Sequence, residues 1–238
     1  MPNLHPQIQE VLREMTEAKL RPIEEMTPAE AREQIEATAR ARKAEPLPVG
    51  RVEERMVPGP AGDIRLRLYC PAAAAPVPAI VYYHGGGHVI GSLETHDFVA
   101  RNLCSGVGVL VASVDYRMGP EDKFPAAVDD CLAATEWVAA NADTLGIDPS
   151  RVAVGGDSAG GNLAAVISLL ARDRSSPRLS AQLLIYPATD ARMGHASINQ
   201  FAEGYLLTRS TMRWFYEQYL RAPADTEDWR ASPLLAAI

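Results

Sequence analysis

The sequence predicts an α/β protein: a mostly parallel central sheet flanked by helices. Three observations carry that expectation. The segments PAIVYY, VGVLVASV, RVAVGG and AQLLIYPA are short, nearly continuous apolar runs, as strands buried on both faces should be. Helical segments separate them, the order expected of parallel strands joined by crossovers. Two glycine clusters, in YYHGGGHVIG and AVGGDSAGGNLAAV, each stand directly after one of the runs. They would lie at the carboxyl ends of strands, where open α/β sheets bind ligands.

The elements follow in order. Ile8, Val11, Leu12 and Met15 fall at helical spacing and predict a first helix that ends before Pro22. A second begins in TPAEAREQIEATARARK, where Thr27 as N-cap, Pro28 in the first turn and Glu30 three residues after the cap form a capping box. EPLPVG reads as a linker, so residues 1–50 make a helical region ahead of a core at 51–238. RVEERMV and DIRLRLY predict an antiparallel pair turning between Gly59 and Gly62. In FPAAVDDCLAATEWVAANA, the stripe Val128, Cys131, Leu132 and Val138 predicts a crossover helix ending near Gly146. The stretch INQFAEGYLLTRSTMRWFYEQYL breaks the alternation. It carries Phe201, Tyr205, Leu206, Leu207, Met212, Trp214, Phe215 and Tyr219, which suits a packed helix pair, a cap inserted at about 190–222 over a pocket, or both. No period of twenty to fifty residues recurs.

Composition narrows the partners. A chain of 238 residues with 47% hydrophobic and 22% charged residues is that of an ordinary globular domain. A formal net charge of −7 leaves no basic surface for nucleic acid or anionic membranes, so a small neutral ligand is expected. The start MPNLHPQIQEVLREM has neither a basic leader nor an apolar h-region, and no run is long enough to span a membrane, which places the chain by default in the cytoplasm. Cys70, Cys104 and Cys131 are odd in number and unclustered, so they read as small core residues rather than disulfide or zinc ligands.

Gly156-Asp157-Ser158-Ala159-Gly160 fits GxSxG between a strand and the helix NLAAVISLLAR, the setting of a nucleophile elbow. Such a turn strains the backbone at the serine, leaves no room for side chains beside it and sets Ser158 at the positive end of a helix dipole. The motif alone also fits a glycine-rich turn packing strand against helix. His84-Gly85-Gly86-Gly87 adds a second cluster, whose bare N–H groups can approach a carbonyl oxygen as an oxyanion hole.

With both motifs in HGGGHVIGSLETHD, VDYRMGPEDKFPAAVDD, GIDPSRVAVGGDSAGGNLAA and ASPLLA, the chain resembles the hormone-sensitive-lipase-like carboxylesterases of the α/β-hydrolase fold, from about residue 5 to the end. The resemblance implies Ser158 as nucleophile and the N–H groups of Gly86, Gly87 and Ala159 as oxyanion donors. It implies that His84 and Gly85 shape the glycine loop, and that Asp157, Asp115, Tyr116, Arg117 and Glu121 brace the site. The helical first fifty residues and the segment from Phe201 to Tyr219 resemble a two-part cap. By the same analogy His88, Leu206, Met212 and Phe215 would line the pocket, His88 making it more polar than usual. Neither metal nor organic cofactor is implied.

In this family the acid and base follow the serine, in motifs after the seventh and eighth strands. The chain stops at ASPLLAAI, and its histidines are His5, His84, His88, His96 and His195, none in that place. The expectation is a truncated esterase lacking the last two strands, nearly inactive as it stands. Its AQLLIYPA strand would form an open edge inviting dimerisation or swapping. Two functions stay open: a serine carboxylesterase for short to medium acyl esters, or a non-catalytic binder, similar to plant hormone receptors that keep the pocket without the histidine.

Overall fold

The computed structural model describes residues 4–41 and 45–237. Six strands form one sheet in the order β1-β2-β4-β3-β5-β6: β1 (Arg51–Gly59), β2 (Gly62–Cys70), β3 (Val77–Tyr83), β4 (Leu110–Asp115), β5 (Ile147–Asp157) and β6 (Ala181–Ile185). β1 pairs antiparallel with β2 through the turn at Gly59–Gly62, and β2 pairs antiparallel with β4. The pairs β3–β4, β3–β5 and β5–β6 are parallel, so the sheet is mixed with a parallel half carrying both glycine clusters.

Ahead of the sheet lie α1 (Pro6–Ala18) and α2 (Pro28–Ala41); α3 (Asp97–Val107), α4 (Ala126–Ala140), α5 (Ala142–Leu145) and α6 (Ala159–Arg174) follow among the strands; α7 (Ala196–Gln200) and α8 (Arg209–Tyr219) come last. The strand period of two assigns alternate residues to opposite faces. In β3, Val77, Ala79, Val81 and Tyr83 enter the main core with Val128, Cys131, Leu163 and Ile167 of α4 and α6. Tyr82 and half-buried Ile80 face the other way, onto Ala100 and Cys104 of α3. All four residues of the predicted α4 stripe are buried, but the helix breaks at Asn141 and Gly146, at φ 67°, caps the short α5. β6 sits at the sheet edge, as expected of AQLLIYPA where no further strand follows it, with Leu183 and Leu184 each 36% exposed instead of buried as an apolar run alone suggests.

The N-terminal region reaches over the sheet. The capping box forms as read, with Thr27 N donating to Glu30 Oε2 (2.8 Å) and Glu30 N to Thr27 Oγ1 (3.3 Å). Beyond it, Met26 and Ala31 pack with Val89, Ile90 and Trp214, and the Glu24 carboxylate accepts from Ser210 Oγ (2.5 Å) and Thr211 Oγ1 (2.7 Å) at the start of α8. α1 has no buried residue, and its Ile8, Val11 and Met15 are exposed.

Candidate active site

β5 ends in a sharp turn into α6. Ser158 sits in it at φ 55°, ψ −115°, a conformation costing on the order of 1–3 kcal/mol for a side-chain-bearing residue. The turn is held by Ser158 N donating to Ile185 O (2.9 Å) and Ala188 N to Ser158 O (3.1 Å). Glycine is obligatory on both sides. A β-carbon at Gly156 would lie 2.4 Å from Gly160 and Tyr83 backbone atoms, and one at Gly160 would lie 1.9 Å from Tyr83 O. Ala159 opens the 16-residue α6, so its N–H belongs to the first turn, which has no helical acceptor.

The glycine loop follows β3 beside this turn. Gly86 (φ 122°) and Gly87 (φ 62°) take left-handed angles, and Gly86 O receives Val89 N (3.0 Å) and Ile90 N (2.9 Å) in a tight turn. Asp157 ties the two motifs together: its Oδ1 accepts from Gly85 N (3.0 Å) and Tyr82 Oη (2.6 Å), while His96 Nε2 stands 3.4 Å from Oδ2. Burial pushes the Asp157 carboxyl up, but the hydrogen bonds and charge of His96, with Tyr82 and Gly85, hold it below the ordinary aspartate value. His84 is fully buried, donates from Nδ1 to Gly85 O (2.8 Å), stacks on Tyr116 at 4.4 Å and has its carbonyl held by Tyr116 Oη (2.7 Å). Burial, and the neighbouring His96, lower its pKa to about 4. His88 stacks on Tyr219 at 3.9 Å, and burial lowers its pKa to about 3. Both imidazoles are neutral at neutral pH.

Two bracing residues differ from expectation. Asp115 does not reach this network: both its side-chain hydrogen bonds come from Arg65 (3.1 and 3.0 Å), which stands directly opposite it in the β2–β4 register. Arg117 likewise turns to buried Asp130 (2.9 and 2.7 Å). Glu121 does connect, through Arg32, a residue the sequence did not single out.

Gly86, Gly87, Ser158 and Ala159 open together into a cavity of about 560 Å³. The four residues expected on its wall, His88, Leu206, Met212 and Phe215, all line it. The stretch from Ile198 to Leu220 contributes to the lining but is not a packed helix pair: residues 201–208 are not helical, and Phe201, Leu206 and Leu207 are exposed. Tyr186, Leu207 and Tyr216 join the lining unanticipated; an aromatic or leucine in a loop carries no period from which its direction can be read. Among the described residues Ser158 Oγ has no side-chain hydrogen bond, and the histidines are engaged elsewhere: His5 caps α1, and His195 Nε2 lies 3.2 Å from Asp190 Oδ2. Among the described residues no group of three or more His, Cys, Asp or Glu side chains could hold a metal ion, and no helix is long and apolar enough to cross a membrane.

Comparison with known proteins agrees with this geometry. A family model described as α/β hydrolase fold matches residues 80–237. The chain is 47% identical over 191 residues to the carboxylic ester hydrolase LipN of Mycobacterium tuberculosis, covering 78% of this chain and 51% of that protein. It is 45% identical to an ethyl acetate hydrolase of Pseudomonas putida, covering 73% of this chain and 56% of the relative. The structure of a hyperthermophilic esterase from Pyrobaculum calidifontis superposes with a TM-score of 0.92 at 43% identity, over 100% of this chain and 76% of that one. The chain thus spans about half the length of the curated relatives it matches.

Proposed function

The chain belongs to the hormone-sensitive-lipase-like branch of the α/β-hydrolase-fold family, and from that premise we propose that it is the nucleophile-bearing part of a serine carboxylesterase for short to medium acyl esters. The observation that carries the reading is the convergence of a strained Ser158 with Gly86, Gly87 and Ala159 on one cavity.

In this reading Ser158 Oγ attacks the ester carbonyl, and the oxygen that becomes negative is received by the three N–H groups. The α6 N-terminus adds its partial positive charge, and pre-oriented donors cost no reorganisation as charge develops. The alcohol leaves, and water then releases the acid from the acyl-serine. Ser158 must also pass its proton to a general base, a part that none of the histidines plays in the contacts of the described residues. A pure ligand binder would need neither the strain at Ser158 nor open donors facing the cavity, which favours the enzyme.

The lining supports the substrate class. Tyr186, Leu206, Leu207, Met212 and Phe215 present mainly carbon surface, and His88, held neutral by burial, adds no charge to repel an acyl chain. The exposed leucines of β6 at the sheet edge favour edge-to-edge pairing of two copies of this polypeptide, which light scattering reads directly. The test of the reading is Ser158→Ala in the full-length protein: hydrolysis of a p-nitrophenyl butyrate probe and labelling by a fluorophosphonate should both disappear. Undiminished turnover in that variant sinks the assignment.

A further inference from the structure

One guanidinium joins the N-terminal region to the turn that carries the oxyanion donors. Arg32, on α2, donates from Nε to Val89 O (2.8 Å) and from Nη2 to Gly119 O (2.7 Å). It also holds Glu121 through Nη1 to Oε1 (2.9 Å) and Nη2 to Oε2 (2.7 Å). Its side chain is only 29% exposed, so these bonds are partly sheltered from water, and charge-assisted bonds to carbonyls are among the stronger ones.

The carbonyls it grips are close to the chemistry. Val89 closes the turn on Gly86 by donating its own N–H to Gly86 O (3.0 Å), and Gly119 N donates to His88 O (2.9 Å). Arg32 therefore fixes both ends of a short relay: Gly86 O to Val89 N–H, Val89 O to Arg32, Arg32 to Gly119 O, Gly119 N–H to His88 O. The turn has almost no slack of its own, since a β-carbon on Gly86 would meet Ile90 O at 2.0 Å. Met26, Ala31 and half-buried Ile35 from the same region press apolar surface on Val89 and Ile90, but dispersion is non-directional. The guanidinium fork, with donors in one plane, adds directional bonds to the Val89 and Gly119 carbonyls, holding the Val89–Ile90 peptide from the side opposite the Ile90 N–H bond to Gly86 O.

We infer that Arg32 is a positioning residue for ester hydrolysis: through Val89 and Gly119 it holds the 86–90 turn so that the Gly86 and Gly87 N–H groups face the developing oxyanion. The N-terminal helical region would then be a working part of the oxyanion hole, not only a cover. This rests on the esterase reading of Ser158. A change of orientation at the donors weakens transition-state binding while leaving most of the cavity wall untouched, so its signature is kcat, not KM.

The experiment compares, in the full-length protein, the parent, Arg32→Ala, Arg32→Lys and Ser158→Ala, by p-nitrophenyl butyrate kinetics and by hydrogen exchange of the Val89 and Ile90 amides. Arg32→Ala should lower kcat between about tenfold and a hundredfold, in line with the loss that small misplacements cause, with KM within about threefold. Amide exchange at Val89 and Ile90 should quicken at least tenfold, and added guanidinium should restore part of kcat and of the protection. Arg32→Lys, which keeps the charge but lacks the fork, should stay folded and lose most of the same kcat. Unchanged kcat with unchanged protection in folded Arg32→Lys and Arg32→Ala overturns the proposal, as does a loss confined to KM. If the full-length parent shows no Ser158-dependent turnover, the esterase reading fails, and the exchange rates alone still decide whether Arg32 orders the turn.

Discussion

The ring of Phe215 rests on the α-carbon of Gly87: a β-carbon at Gly87 would stand 2.2 Å from Phe215 Cγ. Helix α8 is thereby seated on the glycine loop itself, and the third glycine of the loop is required twice, by its φ of 62° and by this contact. Gly87→Ala should therefore lower kcat on the order of a hundredfold, the scale of losing one oxyanion donor. Adding Phe215→Ala should recover part of it by removing the collision while the backbone strain remains. Steady-state kinetics on the double-mutant cycle check this; additive losses would mean the ring and the loop act separately.

Asp157 is the link between the serine turn and the glycine loop. Asp157→Asn keeps an oxygen for Tyr82 and Gly85 but loses the attraction to His96, and should cost about 1–3 kcal/mol of stability. Because the folded carboxyl titrates below its ordinary value, its contribution is complete above about pH 4 and is lost as pH falls further. Urea midpoints for parent and variant should accordingly converge toward pH 3. Parallel curves would show that Asp157 is not stabilised as a carboxylate.

His88 makes the same kind of demand on pH, in a higher window. Buried and neutral with its pKa lowered to about 3, it takes up a proton in the unfolded chain near pH 6.5 but not in the folded one. The unfolded state thus binds more protons below that pH, and acidification from 6.5 destabilises the fold by up to about 1.4 kcal/mol per pH unit. His88→Phe should preserve the stacking on Tyr219 and lessen this acid sensitivity, read as melting temperature between pH 7.5 and 4.5. An identical pH slope in both proteins refutes the buried neutral imidazole.

Met212 lines the cavity from α8. Met212→Trp should fill part of the 560 Å³ space and lower kcat/KM for an octanoyl ester at least tenfold relative to an acetyl ester, within the range a pocket of this kind discriminates. Equal losses for both esters would place the acyl chain elsewhere.

How much of this was legible in the sequence varies by residue. Ser158, Ala159, Gly86 and Gly87 were readable because the chemistry of a strained turn and of open N–H donors demands glycine at fixed neighbouring positions, and such demands are written locally. The apolar runs were readable as strands for the same reason, since burial follows a short period; the open edge of β6 followed only from counting which strands come after it, because exposure depends on what lies beside an edge. Phe215 and Met212 were reached only by analogy, and the facing of Asp115 toward Arg65 ran against it.

Sequence alone determined the α/β class, the strand-to-helix turn at Ser158, the glycine loop and the capping box of α2. Tertiary structure alone decided that Arg32 grips Val89 and Gly119, that Asp157 bridges Gly85 to His96, and that Phe215 seats on Gly87. The division has a physical cause. Backbone strain and apolar period act between residues a few positions apart, whereas a carbonyl or a carboxylate accepts from whatever donor the fold brings within about 3 Å, and that donor's distance along the chain leaves no mark in the letters.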